Sequence, residues 1–171
     1  MDALTETHDD VAVLLVEPDT GEANRVLTRL RALLGEGMKL VHVQGGESAM
    51  EAMEAREFHL VLSELDLPGM GGIDLFQSAR FQQPDAVRVL LADAVDENAA
   101  IDAINSGGVY RILTRPWDEG ELDQCVRTAL DWGEHGRTMR RLLGEQRQTH
   151  RALAASLSRM ERAQRQSVHV E

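Results

Sequence analysis

Hydrophobic positions along the chain change period repeatedly, from unbroken runs to a spacing of three and four. Residues 11–16 form a continuous apolar run, the pattern of a strand buried on both faces. Glu17, Pro18, Asp19, Thr20 and Gly21 break the run. Ala23, Val26, Leu27, Leu30, Leu33 and Leu34 then make a single helical stripe, closed by Gly35 and Gly37. The cycle recurs, with strands predicted over 40–43, 58–62, 87–91 and 109–113. Helices are predicted over 47–56, about 72–82, about 96–106 and beyond Pro116. The last of these has Leu122, Cys125, Val126, Ala129 and Leu130 on its inner face. Five βα units predict an α/β fold, a five-stranded parallel sheet with right-handed crossovers that place helices on both faces.

The last helix has no clear stop. Gly133, Gly136 and Gly144 weaken its pattern, but no proline follows Pro116. A heptad threads through the tail, with Leu143, His150, Leu157 and Gln164 at a, and Met139, Gln146, Leu153 and Met160 at d. Gln146, His150 and Gln164 put polar groups in that seam. They lower the stability of a coiled coil but can set register and partner choice. The expected organisation is a disordered N-terminus over 1–10 and a body over 11–131. A helical, coiled-coil extension follows over 132–165, then a frayed end over 166–171.

Charge divides the chain at the same place. Residues 1–132 hold ten basic and 25 acidic residues, a net of −15, whereas 133–171 hold eight Arg and four Glu, a net of +4. An acidic body argues against nucleic acid as a partner. The Arg-rich tail reads first as the solvated face of a coiled coil and second as a docking element for an acidic partner. No apolar run approaches the ~20 residues that cross a bilayer, and the first ten residues lack the apolar core of a secretory signal. Cys125 is the only cysteine, so no intramolecular disulfide can form. These features predict a cytoplasmic protein with no membrane partner.

In open parallel sheets, ligands bind beyond the carboxyl ends of the strands. Glu17, Pro18 and Asp19 follow the first predicted strand, Glu64 and Asp66 the third, Ala92 and Asp93 the fourth, and Thr114, Arg115 and Pro116 the fifth. His42 and His59 lie in or beside strands as structural residues, and the six histidines show no metal-ligand spacing. Gly69, Gly71 and Gly72 lack the spacing of a phosphate-binding loop.

Four stretches resemble the receiver domains of two-component response regulators. They are Leu15-Val16-Glu17-Pro18-Asp19, the run from Leu60 through Glu64-Leu65-Asp66-Leu67-Pro68-Gly69 to Gly72, Val89-Leu90-Leu91-Ala92, and Ile112-Leu113-Thr114-Arg115-Pro116-Trp117. The stretch from Ala103 to Trp117 is most similar to receivers found ahead of HD-GYP phosphodiesterase domains. The resemblance implies a doubly wound, flavodoxin-like sheet of order 2-1-3-4-5 and a cis peptide bond before Pro116. It also implies a chemistry: an Asp after strand three takes a phosphoryl group, acidic residues after strand one hold Mg²⁺, a Thr or Ser after strand four bonds the phosphoryl group, and a Lys after strand five pairs with it.

The chain departs from that pattern at nearly every position. Glu64 stands at the phosphoacceptor place, and a side chain longer by one methylene disturbs a transfer that depends on positioning. Pro18 removes one metal-binding carboxylate; any residual metal site would draw on Glu17, Glu64 and Asp66. Ala92 has no hydroxyl, and Arg115 replaces a compact ammonium with a guanidinium fork. The switch positions are Ala92 and Ile112, which lack the hydroxyl and the aromatic ring. Tyr110 is expected on the other face of the strand. Arg115 and Glu64 are expected to form a bidentate, metal-free link between strands three and five.

The leading expectation is therefore a pseudo-receiver: a non-enzymatic interaction module, independent of phosphorylation and cofactor, that dimerises through helix five and the tail. Its protein partner would be a histidine kinase or a downstream effector. The alternatives are a working phosphorelay receiver that uses Mg²⁺, and a stand-alone regulator of an HD-GYP cyclic-dinucleotide phosphodiesterase.

Overall fold

The structure is a computed structural model, and it describes residues 11–167. The predicted disorder of 1–10 and the end of the predicted frayed segment, 168–171, lie outside the described residues. Five strands and five helices alternate: β1 Ala12–Val16, α1 Thr20–Leu34, β2 Lys39–Val43, α2 Gly46–Ala55, β3 Leu60–Glu64, α3 Gly72–Gln82, β4 Val87–Ala92, α4 Glu97–Asn105, β5 Arg111–Thr114 and α5 Glu119–Ser167. The sheet is parallel, in the order β2-β1-β3-β4-β5. This is the doubly wound, flavodoxin-like topology expected from the sequence.

The unbroken apolar runs are explained by burial on both faces. Val13, Leu15, Leu60, Leu62, Val89, Leu91 and Leu113 pack with Ala23, Val26 and Leu30 of α1 and with Leu122, Cys125, Val126 and Ala129 of α5. Leu14, Val16, Val61 and Leu90 point the other way, onto Ala49 and Met53 of α2, Leu75, Phe76 and Ala79 of α3, and Ala103 of α4. Alternate residues of one strand thus serve two separate core layers. Cys125 is fully buried, as a core residue would be, and burial pushes its thiol pKa up.

All five strands differ from the sequence reading by a residue or two at an end, and two of them, β3 and β5, start two residues later. β3 starts at Leu60 rather than at residue 58, because the Phe58 N–H is taken by Gln83 Oε1 at 2.8 Å, although the Phe58 ring lies in the core. β5 starts at Arg111 rather than at residue 109, because the Val109 N–H closes back on the Ala103 carbonyl of α4 at 3.1 Å. The first shift matters most. β3 ends on Glu64, so the strand itself orients that side chain. Gly72, the first residue of α3, fixes the other side of this corner. A Cβ there would overlap the Glu64 carbonyl, so glycine is required for helix and strand to approach this closely.

The described residues divide into two compact units, with the division between Gly133 and Glu134. In the second unit α5 runs as helix to Ser167 despite Gly136 and Gly144. The seam residues Met139, Leu143, Leu153, Leu157 and Met160 are 45–65% exposed, and Gln146, His150 and Gln164 are exposed with them. Among the described residues no helix is long and apolar enough to cross a membrane.

Candidate functional site

The strand ends gather a cluster of carboxylates around one guanidinium. Glu17 follows β1 and is 4% exposed; Glu64 closes β3 and is 8% exposed. Arg115 follows β5 and reaches across the sheet to both. Its Nη2 lies 3.2 Å from Glu17 Oε2 and 2.7 Å from Glu64 Oε2. The contact with Glu17 is a hydrogen bond; the contact with Glu64 is an ion pair without hydrogen-bond alignment. Nη1 donates to Asp93 Oδ1 at 3.2 Å, Nε lies 4.0 Å from Glu22 Oε2, and the guanidinium carbon sits 4.8 Å from the centre of the Trp117 ring. The expected bidentate pairing of Arg115 with Glu64 is thus corrected. The fork divides its nitrogens because Glu17 and Asp93 compete for them from either side.

The electrostatics follow from this crowding. Burial raises the Glu17 pKa, the Asp19 N–H works against that rise, and the charge of Glu64 adds to it. Burial opposes the charge of Arg115, but Glu64, Glu17 and Asp93 outweigh it and hold its pKa above the ordinary value. Glu17 is fixed at both ends: Oε1 accepts from the Asp19 N–H at 2.9 Å, and its carbonyl oxygen lies 2.8 Å from His42 Nε2.

Several residues placed near the site by sequence lie apart from it. The Asp19 carboxylate caps α1, accepting the Glu22 N–H at 2.8 Å, so its role is local. Asp66 is exposed beyond the strand end. Pro18 contributes no donor, and the Arg115–Pro116 bond is cis, as the resemblance implies. Ala92 is buried at the end of β4 with only a methyl group to offer. Ile112 packs into the α2–α4 side of the core. Tyr110 shares parity with Ile112, so alternation alone does not separate them. It precedes β5, and its ring meets Trp132 of α5 at 5.8 Å.

The sequence reading assigned no role to Asp93, Glu22 or Trp117. Asp93 was legible as the residue after β4, and Trp117 as part of the β5 motif. Glu22 carries no signal beyond its place in the first turn of α1.

This donor set does not suit a divalent cation. Oxygen ligands would have to come from Glu17 and Glu64, whose outer oxygens already share a guanidinium nitrogen, while Pro18 and Asp66 supply none. Among the described residues no group of three or more His, Cys, Asp or Glu side chains is placed to hold a metal ion.

Comparison with known proteins agrees with the fold. Residues 13–127 match the response regulator receiver domain family. The signal receiver domain of an HD domain-containing protein from Pseudomonas fluorescens Pf-5 superposes with a TM-score of 0.68 at 31% identity, over 73% of this chain and 98% of that one. The sensory/regulatory protein RpfC of Xanthomonas campestris pv. campestris is 34% identical over 103 residues, 57% of this chain and 14% of its own length. The hydrogenase transcriptional regulatory protein HoxA of Cupriavidus necator is 25% identical over 119 residues, 70% of this chain and 24% of its own. The chain thus spans a quarter or less of these two relatives.

Proposed function

The chain belongs to the response regulator receiver domain family, and on that premise we propose that it acts as a protein-interaction module whose state is set by Arg115 rather than by phosphorylation. Receiver domains engage kinases or effectors. This one does so with its pocket permanently closed by a charge bridge. The observation that carries this reading is the position of Arg115 Nη2, 3.2 Å from Glu17 Oε2 and 2.7 Å from Glu64 Oε2. The guanidinium supplies the positive charge that a receiver otherwise takes from its metal, and Glu64 supplies a permanent negative charge. The module is non-enzymatic and needs no Mg²⁺. Ala92 and Ile112 support a fixed output face, since neither can make the hydrogen bond of a switching pair.

The tail completes the proposal. Its seam residues are exposed along the helix of the second unit, and a second copy aligned in parallel buries them in register. The protein is then a cytoplasmic homodimer through helix five and the tail. A second reading, a regulator acting with an HD-domain phosphodiesterase, is favoured by the 31% identity to the Pseudomonas receiver.

Intact mass after incubation with Mg²⁺ and acetyl phosphate tests the first reading. The expected result is an unchanged mass. A single phosphoryl adduct on Glu64, Asp66 or Asp19 would replace the proposal with a working phosphorelay receiver.

A further inference from the structure

We infer that Arg80 and Arg88, on either side of Gly108, form an oxyanion-binding site at the end of the sheet opposite the Glu64 pocket. All five strands run parallel, so the ends that carry Glu64 and Ala92 share one pole and the strand starts share the other. Arg88 is the second residue of β4 and lies at the starting pole.

Arg88 is a buried cation satisfied only by neutral groups. It is 9% exposed. Its Nε donates to the carbonyls of Gly107 and Gly108 at 3.1 and 3.2 Å, and its Nη1 donates to the Ala86 carbonyl at 2.9 Å. Arg80, at the end of α3, donates from Nη1 to the Asn105 carbonyl at 3.2 Å. Among the described residues neither guanidinium has a carboxylate within ion-pair distance. This is unusual in a body of net charge −15, where the partly buried Arg115 meets several carboxylates. Desolvation of an uncompensated charge is costly, and a second like charge beside it adds to the cost. Burial first, then the charge of Arg80, depresses the Arg88 pKa.

Gly108 lies between the two, and its lack of a side chain lets both approach its backbone. Its φ is +60°, and the point where a Cβ would stand is 3.0 Å from Arg88 Nη2 and 3.6 Å from Arg80 Nε. The two nitrogens therefore lie less than 7 Å apart, a gap that separate oxygens of one phosphate or carboxylate can span. Such charge-assisted contacts are the strong ones for phosphate and carboxylate. A bound oxyanion would neutralise the facing cations and use the Arg88 donors that the three carbonyls leave over.

The test is arginine side-chain ¹⁵N NMR on the full chain, titrated with inorganic phosphate against chloride at matched ionic strength, and in parallel with acetate. The expected result is a saturable shift of the Arg88 Nε–Hε resonance, with the tail arginines moving without saturation. In Arg80→Gln, an exposed position whose change leaves the core intact, affinity should fall about tenfold. Arg88→Lys keeps the charge but loses the fork, and should weaken binding while thermal unfolding confirms the fold. Saturation by phosphate alone assigns a phosphate site; an equal response to acetate assigns a carboxylate, as from an acidic side chain of a protein partner. No saturable shift with either anion, or an unaltered response in Arg80→Gln, overturns the inference.

Discussion

Arg115 meets four carboxylates, Glu17, Glu64, Asp93 and Glu22, within 4.0 Å. Removing one partner of a buried pair usually costs about 3–5 kcal/mol, because the other charge is left uncompensated. The Arg115 side chain is 21% exposed, so Arg115→Ala is expected to cost less, on the order of 2 kcal/mol at pH 7, in chemical denaturation. Arg115→Lys should recover only part of this, since an ammonium cannot serve both sides at once. Equal stability of the wild type and Arg115→Ala would remove the bridge from the account.

Glu17 tests the same cluster from the opposite side. Its folded-state pKa lies above the ordinary value of 4.5, so folding disfavours its ionised form. The stability associated with its proton is fully present below 4.5 and is lost as pH rises through the raised folded value. Glu17→Gln removes that loss while keeping an acceptor for the Asp19 N–H. The variant should unfold at a higher temperature than the wild type at pH 7, and the difference should vanish below pH 4.5. A variant less stable at pH 7 would mean that the attraction of Arg115 outweighs burial.

At the scale of elements, α1 and α5 are joined by Arg29. Its Nε donates to Asp123 Oδ1 at 2.7 Å, its Nη2 contacts Asp123 Oδ2, and its Nη1 pairs with Glu119 at 2.9 Å. The hydrogen bond from Arg29 holds the Asp123 pKa below its ordinary value of 3.8. The sign is therefore opposite to that of Glu17: the contribution is present above pH 3.8 and is lost as pH falls through the lower folded value. Asp123→Asn should lower the melting temperature at neutral pH, with the gap closing in acid. A gap that persists below the folded pKa would point to packing rather than charge. Wild-type pH–stability curves thus combine two opposing carboxylates, separable only by the paired variants.

At the scale of the whole molecule, the proposed dimer rests on the tail. Leu143, Leu153, Leu157 and Met160 are each about half exposed or more in the single chain, which is unusual for large apolar residues recurring at heptad spacing. Leu157→Glu in the seam should shift sedimentation from dimer to monomer, whereas Ala155→Glu, at the outward f position, should not. Gln146 and His150 make adjacent polar layers, so association should be weaker than that of an apolar zipper and concentration-dependent. A monomer at all concentrations would leave the tail to a heterotypic partner.

The sequence by itself determined the alternation of strand and helix, the two-layered burial of the sheet and the replacement of the side chains that a receiver usually carries at its strand ends. Period follows from backbone geometry within a few residues, and Pro18 or Ala92 lacks its functional group wherever it is placed. Beyond the expected meeting of Arg115 with Glu64, tertiary structure decided which charges meet and how they share donors. Arg115 and Glu17 lie 98 positions apart, and the division of the fork among Glu17, Glu64 and Asp93 depends on burial and competition at close range. Asp19, one residue past Pro18 in the motif, went instead to a helix cap, because its backbone position offered it the Glu22 N–H first. Likewise, nothing in the spacing of Arg80 and Arg88 shows that they converge; the path of the backbone through Gly108 brings them together.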